Sequence, residues 1–181
     1  MDFRLILEKL VMEFNDQGID YALIGGVALG LLGLPRATMD IDFLIRKQDE
    51  PKLQKLMQTI GYELRYSSEN VSQYRSAVSV LGEVDFLHAF RQHSLSMLGN
   101  ARTLSAFKGA LSIKVVRPED LIGLKLQAIN NDPRRRDQDL ADIKALIGEY
   151  WDQLDWEAIR QYGELFDYSE LIEQLQQGDW G

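Results

Sequence analysis

Apolar positions along residues 3–14 (Phe3, Ile6, Leu7, Leu10, Val11, Phe14) repeat at the three-and-four spacing of an amphipathic helix, and Gly18 closes it. The run Tyr21-Ala22-Leu23-Ile24 is apolar throughout and suits a buried strand. Gly25-Gly26 follows, then a short helix over 27–32 that ends before Gly33 and Pro35. Asp40–Ile45 alternates and predicts a strand. Residues 50–59 predict a helix, with Pro51 near its start and Gly61 beyond its end. Residues 62–66, 72–80 and 83–87 predict strands of a meander, and 111–115 one more; residues 88–110 show no clear period. Pro118-Glu119-Asp120 opens a helix reaching about Asn130, a second covers roughly 136–148, and one or two more lie between 155 and 176. This order predicts an α+β fold: a mixed sheet with helices over residues 1–117, and a C-terminal helical portion over 118–181 packed on that core.

Composition narrows the class. The chain has 181 residues, 45% hydrophobic and 27% charged, which excludes a disordered tail, a collagen-like chain and a coiled-coil rod. It has no cysteine, which excludes disulfides, zinc fingers, iron–sulfur clusters and thiol nucleophiles. Gly, Pro or charge breaks every apolar stretch well short of a membrane span. Met1-Asp2-Phe3-Arg4 lacks the basic-then-apolar order of a secretion signal, so the cytoplasm is the expected location.

The net charge of −8 sits entirely at the end of the chain: from Glu149 onward there are nine acidic residues against one basic, Arg160. The rest is balanced, and its one basic cluster is Arg134-Arg135-Arg136. A nucleic-acid-binding domain would carry a basic excess. The acidic segment reads as a solvated helical face, with a docking surface for a protein partner as the alternative.

The candidate chemistry lies in three carboxylates. Asp40 and Asp42 are two apart on a predicted strand, so both point to one face, with Cα atoms roughly 6.5 Å apart. Ile41, Phe43 and Ile45 point to the other face, into the core. Aiming two like charges at one spot is costly unless a cation compensates, and carboxylates are preferred Mg²⁺ ligands. Asp85 sits between Val84 and Phe86 in another strand-like run. Three acids on neighbouring strands can hold two divalent ions, the arrangement that assists in-line phosphoryl displacement. Gly25-Gly26, between a strand and a helix, would let a backbone approach phosphate closely. Arg36 and Thr38 stand just before the acidic strand, and Arg36 could meet a phosphate. Lys125 falls inside the apolar stripe of Leu121, Leu124 and Ala128; it either snorkels to solvent or aims an ammonium at phosphates. His88 and His93 lack metal-site spacing and read as structural, and no Walker A or EF-hand loop is present.

Gly25-Gly26, thirteen residues, Asp40-Ile41-Asp42-Phe43 and a later apolar-flanked Asp85 together resemble the nucleotidyltransferase superfamily that includes DNA polymerase beta. Arg36-Ala37-Thr38-Met39-Asp40-Ile41-Asp42, the Lys125 helix and Arg134–Ile143 look like the AbiEii-type branch of minimal bacterial nucleotidyltransferases, several of them toxins of toxin–antitoxin pairs. The resemblance spans roughly residues 20–147. It implies a nucleotidyltransferase-like mixed sheet and a Mg²⁺-dependent enzyme with two ions (Mn²⁺ as a substitute) held by Asp40, Asp42 and Asp85. It implies a nucleoside triphosphate such as ATP as co-substrate, over Gly25, Gly26, Arg36 and Thr38. It further implies that Lys125 contacts the nucleotide and that Asp137 or Asp142 lines the same cleft. The expected reaction moves a nucleoside monophosphate to a hydroxyl on a protein or small molecule, favoured over nucleic acid on charge. The alternatives are a catalytically silent binding module on the same fold and an antibiotic-modifying enzyme. Two features depart from the family pattern. Position 26 is Gly where many members have Ser, so a hydroxyl contact to phosphate would be missing, and the chain is shorter than typical toxin members.

Overall fold

A computed structural model describes residues 1–180. The chain divides into two compact units, Met1–Val116 and Arg117–Gly181.

The first unit is built on one seven-stranded sheet. Helix α1 (Phe3–Gln17) opens it, with Asp2 accepting a hydrogen bond from the Leu5 amide at one end and Gly18, at φ 62°, closing the other. Strand β1 (Tyr21–Ile24) leads directly into α2 (Gly25–Leu31). Then come β2 (Asp40–Arg46), α3 (Glu50–Thr59), β3 (Tyr62–Ser67), β4 (Val71–Ser76) and β5 (Glu83–Ala89). Helix α4 (Gln92–Gly99), β6 (Arg102–Ala106) and β7 (Leu111–Val115) complete the unit. The strand order is β3-β4-β5-β2-β1-β7-β6. The sheet is mixed: β2 runs parallel to β5 and β1 parallel to β7, while the remaining pairs are antiparallel.

Its core follows the alternation of the central strands. Ile41, Phe43 and Ile45 of β2 and Val84 and Phe86 of β5 are fully buried. Phe14 of α1 lies edge-on to Phe43 at 5.3 Å and to Phe86 at 6.2 Å, and Phe43 stacks on Phe86 at 5.7 Å. These rings fix β2 beside β5 from the face opposite the acids.

Two elements differ from the sequence reading. The segment expected as one strand over 72–80 leaves the sheet after Ser76, and the chain bends through Gly82 at φ 60° before β5. The stretch 88–110 holds α4 and β6. It was silent because α4 buries only Met97 and Leu98, and β6 is an edge strand with only Ala106 fully buried.

The second unit is helical: α5 (Pro118–Asn131), α6 (Arg136–Tyr150), α7 (Trp156–Leu165) and α8 (Ser169–Gln176). Pro118 at the first position and Glu119 and Asp120 in the first turn suit a helix start. Asp120 is fully buried; it receives two hydrogen bonds from the Arg117 guanidinium (3.0 and 3.1 Å) and one from the Tyr162 hydroxyl (2.7 Å). The Tyr162 ring sits over Gly123, where a Cβ would lie 2.7 Å from it, so α5 and α7 approach closely. Burial and the adjacent Asp120 carboxylate push the Tyr162 phenol well above its ordinary range, so it stays a donor. No helix among the described residues is long and apolar enough to cross a membrane.

Replacing Tyr162 by Phe removes one donor from a buried carboxylate while keeping the ring over Gly123. The expected loss in urea unfolding is about 1.5–3 kcal/mol. A change below about 0.5 kcal/mol would show that Arg117 alone satisfies Asp120.

Candidate active site

Strand pairing creates the site. On β2, Asp40 and Asp42 are half-buried on one face, while Ile41 and Phe43 are buried on the other. On β5, Asp85 is half-buried between buried Val84 and Phe86. The two strands run parallel with Asp42 level with Asp85, so the side chains share a face one strand spacing apart. One carboxylate oxygen from each of Asp40, Asp42 and Asp85 lies within 4.8 Å of the others. Burial pushes the Asp85 carboxyl above its ordinary value; Asp40 and Glu83 add to the shift and the Gln73 amide opposes it.

The glycine pair meets these acids. Strand β1 is antiparallel to β2, with Ile24 level with Asp42. Gly25 turns the chain into α2 at φ 69°, and a Cβ there would fall 1.9 Å from Asp42 Oδ2. A side chain at position 25 is therefore excluded both by the backbone and by the carboxylate. At Gly26 a Cβ would fall 2.7 Å from both Cβ and Oγ1 of Thr38. Thr38 occupies the room a side chain at position 26 would need, and its hydroxyl donates to Asp40 Oδ1 at 2.7 Å. The short helix thus begins at Gly25, two residues earlier than its apolar pattern suggested.

Gln73 was not visible in the sequence. It stands on β4 level with Asp85, and its Nε2 donates to Asp85 Oδ2 at 2.6 Å. Gln73 and Asp85 line a groove of about 340 Å³ with Arg65, Tyr74, Arg75 and Glu83. Both arginines pair with exposed glutamates, Arg65 with Glu63 at 3.4 Å and Arg75 with Glu83 at 3.3 Å. Arg36 is half-buried in the loop before Thr38.

The remaining sequence candidates lie in the second unit. Lys125 of α5 is 6% exposed and does not snorkel. Its ammonium donates to Asp139 Oδ1 at 3.0 Å and to Asp142 Oδ2 at 2.5 Å. Asp139 also takes the Arg135 Nε–H at 2.9 Å, and these contacts hold its carboxyl below the usual range against the cost of burial. The sequence reading singled out Asp142 and Asp137 but not Asp139; Asp137 is exposed in the first turn of α6. His88 is buried, with Nε2 3.0 Å from the Ser72 hydroxyl and Nδ1 3.0 Å from the Glu69 carbonyl oxygen and 3.2 Å from Lys47 Nζ. That is a structural setting, as its sequence context indicated.

The donor set at the triad suits a hard divalent ion. All three side chains are carboxylates on paired strands, and no nitrogen or sulfur donor belongs to the group. A mixed sheet carries acids at positions 40, 42 and 85 on one face, with a glycine bend against Asp42. A model of the family described as nucleotidyl transferase AbiEii toxin, type IV toxin–antitoxin system, matches residues 6–175, and the chain belongs to that family. The match extends beyond the stretch 20–147 that carried the resemblance in the sequence. A comparison with curated protein sequences gives no match. Among solved structures, the antibiotic-resistance factor ANT(2'')-Ia is similar at 13% identity, over 98% of this chain and 99% of that one, with a TM-score of 0.68. The lincosamide antibiotic adenylyltransferase LnuA is similar at 16% identity, over 77% and 93%, with a TM-score of 0.55. An antigenic nucleotidyltransferase-like protein from Paracoccidioides brasiliensis is similar at 20% identity, over 95% and 92%, with a TM-score of 0.57. These likenesses establish the shared fold.

His88 yields a pH dependence. Burial, with Lys47 adding, holds its imidazole below the ordinary 6.5, although the Glu69 carbonyl and Glu50 pull the other way. As pH falls through 6.5 the unfolded chain binds a proton that the folded chain resists, so this group lowers stability there; well above 6.5 it contributes no slope. In melts from pH 7.5 to 5.5, wild type is expected to lose stability relative to His88→Gln. A difference that does not change with pH would contradict this assignment.

Proposed function

We propose that the chain transfers a nucleoside monophosphate from a nucleoside triphosphate to a hydroxyl acceptor, using divalent ions, with Mg²⁺ as the physiological metal. The observation that carries this reading is the convergence of Asp40, Asp42 and Asp85 within 4.8 Å, against a bend where Gly25 leaves room for the Asp42 carboxylate. The three carboxylates would hold two dications, which when bound would offset charge on the triphosphate and on the in-line transition state.

The protein's own groups divide the work as follows. Phosphates would lie beside the Gly25-Gly26 turn, where the missing side chains leave room for Asp42 and Thr38. Arg36 offsets phosphate charge from the neighbouring loop. The acceptor hydroxyl lies in the groove beside Asp85. Its oxygen bonds to the α-phosphorus, the bond from that phosphorus to the bridging oxygen breaks, and pyrophosphate leaves. Asp85, beside the acceptor, accepts the hydroxyl proton. Lys125 is held by Asp139 and Asp142 within the second unit, and no step is assigned to it.

The acceptor is a small hydroxylated molecule or a protein side chain. LnuA was solved lincomycin-bound and ANT(2'')-Ia with adenylyl-2''-tobramycin, so this fold accommodates small-molecule acceptors. The family description fits a toxin role. A silent binding module has no need to bring three mutually repelling acids together.

Label transfer from α-phosphate-labelled triphosphates into cell extract, with Mg²⁺ present, tests the reading. Wild type transfers label, and Asp42→Asn is expected to lose about 100-fold or more. Undiminished transfer by Asp42→Asn would overturn the site assignment.

A further inference from the structure

Two of the three acids have a hydrogen-bond donor that carries no charge. Asp40 takes the Thr38 hydroxyl and Asp85 takes the Gln73 amide, at 2.7 and 2.6 Å. Both contacts are as short as charge-assisted hydrogen bonds to carboxylates become. An arginine or lysine in either place would neutralise the carboxylate and compete with a dication for it. A hydroxyl or an amide fixes the carboxylate's rotation and leaves its charge intact.

Thr38 is packed in place, and Gln73, an exposed side chain, is set opposite Asp85 by strand register. Thr38 packs into the space above Gly26, where any Cβ would collide with it. Gln73 faces Asp85 across the antiparallel β4–β5 pair, so strand register sets its reach. The glycine at position 26 thus has a specific consequence: it leaves room for a hydroxyl from the Thr38 loop, aimed at Asp40.

We infer that Thr38 and Gln73 are positioning residues of the dication site, orienting Asp40 and Asp85 for a divalent ion without neutralising them. This rests on the reading that the triad binds dications.

The test titrates Mn²⁺ into the full chain without nucleotide and follows the free ion by electron paramagnetic resonance, with a thermal melt of each variant. Thr38→Val and Gln73→Leu are expected to weaken Mn²⁺ binding about tenfold or more, the usual effect of removing a partner behind a metal ligand. Thr38→Ser keeps the hydroxyl and is expected to stay within about threefold of wild type. Gln73→Lys restores a donor but adds charge, and is expected to bind no better than Gln73→Leu. Asp42→Asn supplies the reference for a lost site. If Asp42→Asn loses Mn²⁺ while Thr38→Val and Gln73→Leu bind like wild type, the triad reading stands and this inference falls. If wild type binds no more tightly than Asp42→Asn, both fall. Tight binding by Gln73→Lys would contradict the requirement for an uncharged donor. The Val/Ser pair at position 38 separates the hydroxyl from packing even if one variant melts earlier.

Discussion

Repulsion among Asp40, Asp42 and Asp85 is the constraint around which the first unit is organised. Two unit charges 4.8 Å apart repel by about 3 kcal/mol at an effective dielectric constant near 20, and here there are three such pairs. That cost is tolerated because the carboxylates have little freedom to separate. Parallel pairing holds Asp42 level with Asp85, and the reverse face of both strands is locked into the core by Phe43, Phe86 and Phe14. The Gly25 bend closes against Asp42 from a third side. A fold that concentrates negative charge in this way is prepared for cations.

The treatment of acids elsewhere in the chain sharpens this conclusion. In the second unit, two of the three buried carboxylates are matched with cations, Asp120 with Arg117 and Asp139 with Lys125 and Arg135, while the third, Glu119, accepts the Asp155 amide. Those pairs order helices, and each charge has its partner within the unit. Asp40 and Asp85 instead receive uncharged donors, Thr38 and Gln73. The same chain pairs Asp120 and Asp139 with cations and gives two acids of the triad donors that do not cancel their charge.

Much of this was readable from residue order, for identifiable reasons. Asp40, Asp42 and Asp85 stood out because each interrupts a run of large apolar residues, and a strand's two-residue period sends them to the face opposite Phe43 and Phe86. Gly25 stood out because it joins an apolar strand to a helix. The family resemblance rested on these same positions, and the family match bears it out. Gln73 left no trace, since one polar residue in an alternating strand looks like any solvent-facing position until β4 pairs with β5. Asp139 was hidden among Asp137, Asp139 and Asp142; only the helical phase of α6 distinguishes the one that is buried. Strand β6 and helix α4 bury too few residues to impose a period. Register and phase across distant segments are properties of packing, which local pattern does not encode.

The most direct measurement is a crystal structure with a non-hydrolysable nucleoside triphosphate and Mn²⁺, with the metal located by its anomalous scattering. The expected result is anomalous density among the oxygens of Asp40, Asp42 and Asp85, with the phosphates against Gly25 and Gly26. Metal bound elsewhere, or a triad whose side chains point apart in the presence of nucleotide, would contradict the claim that these three acids form one dication site.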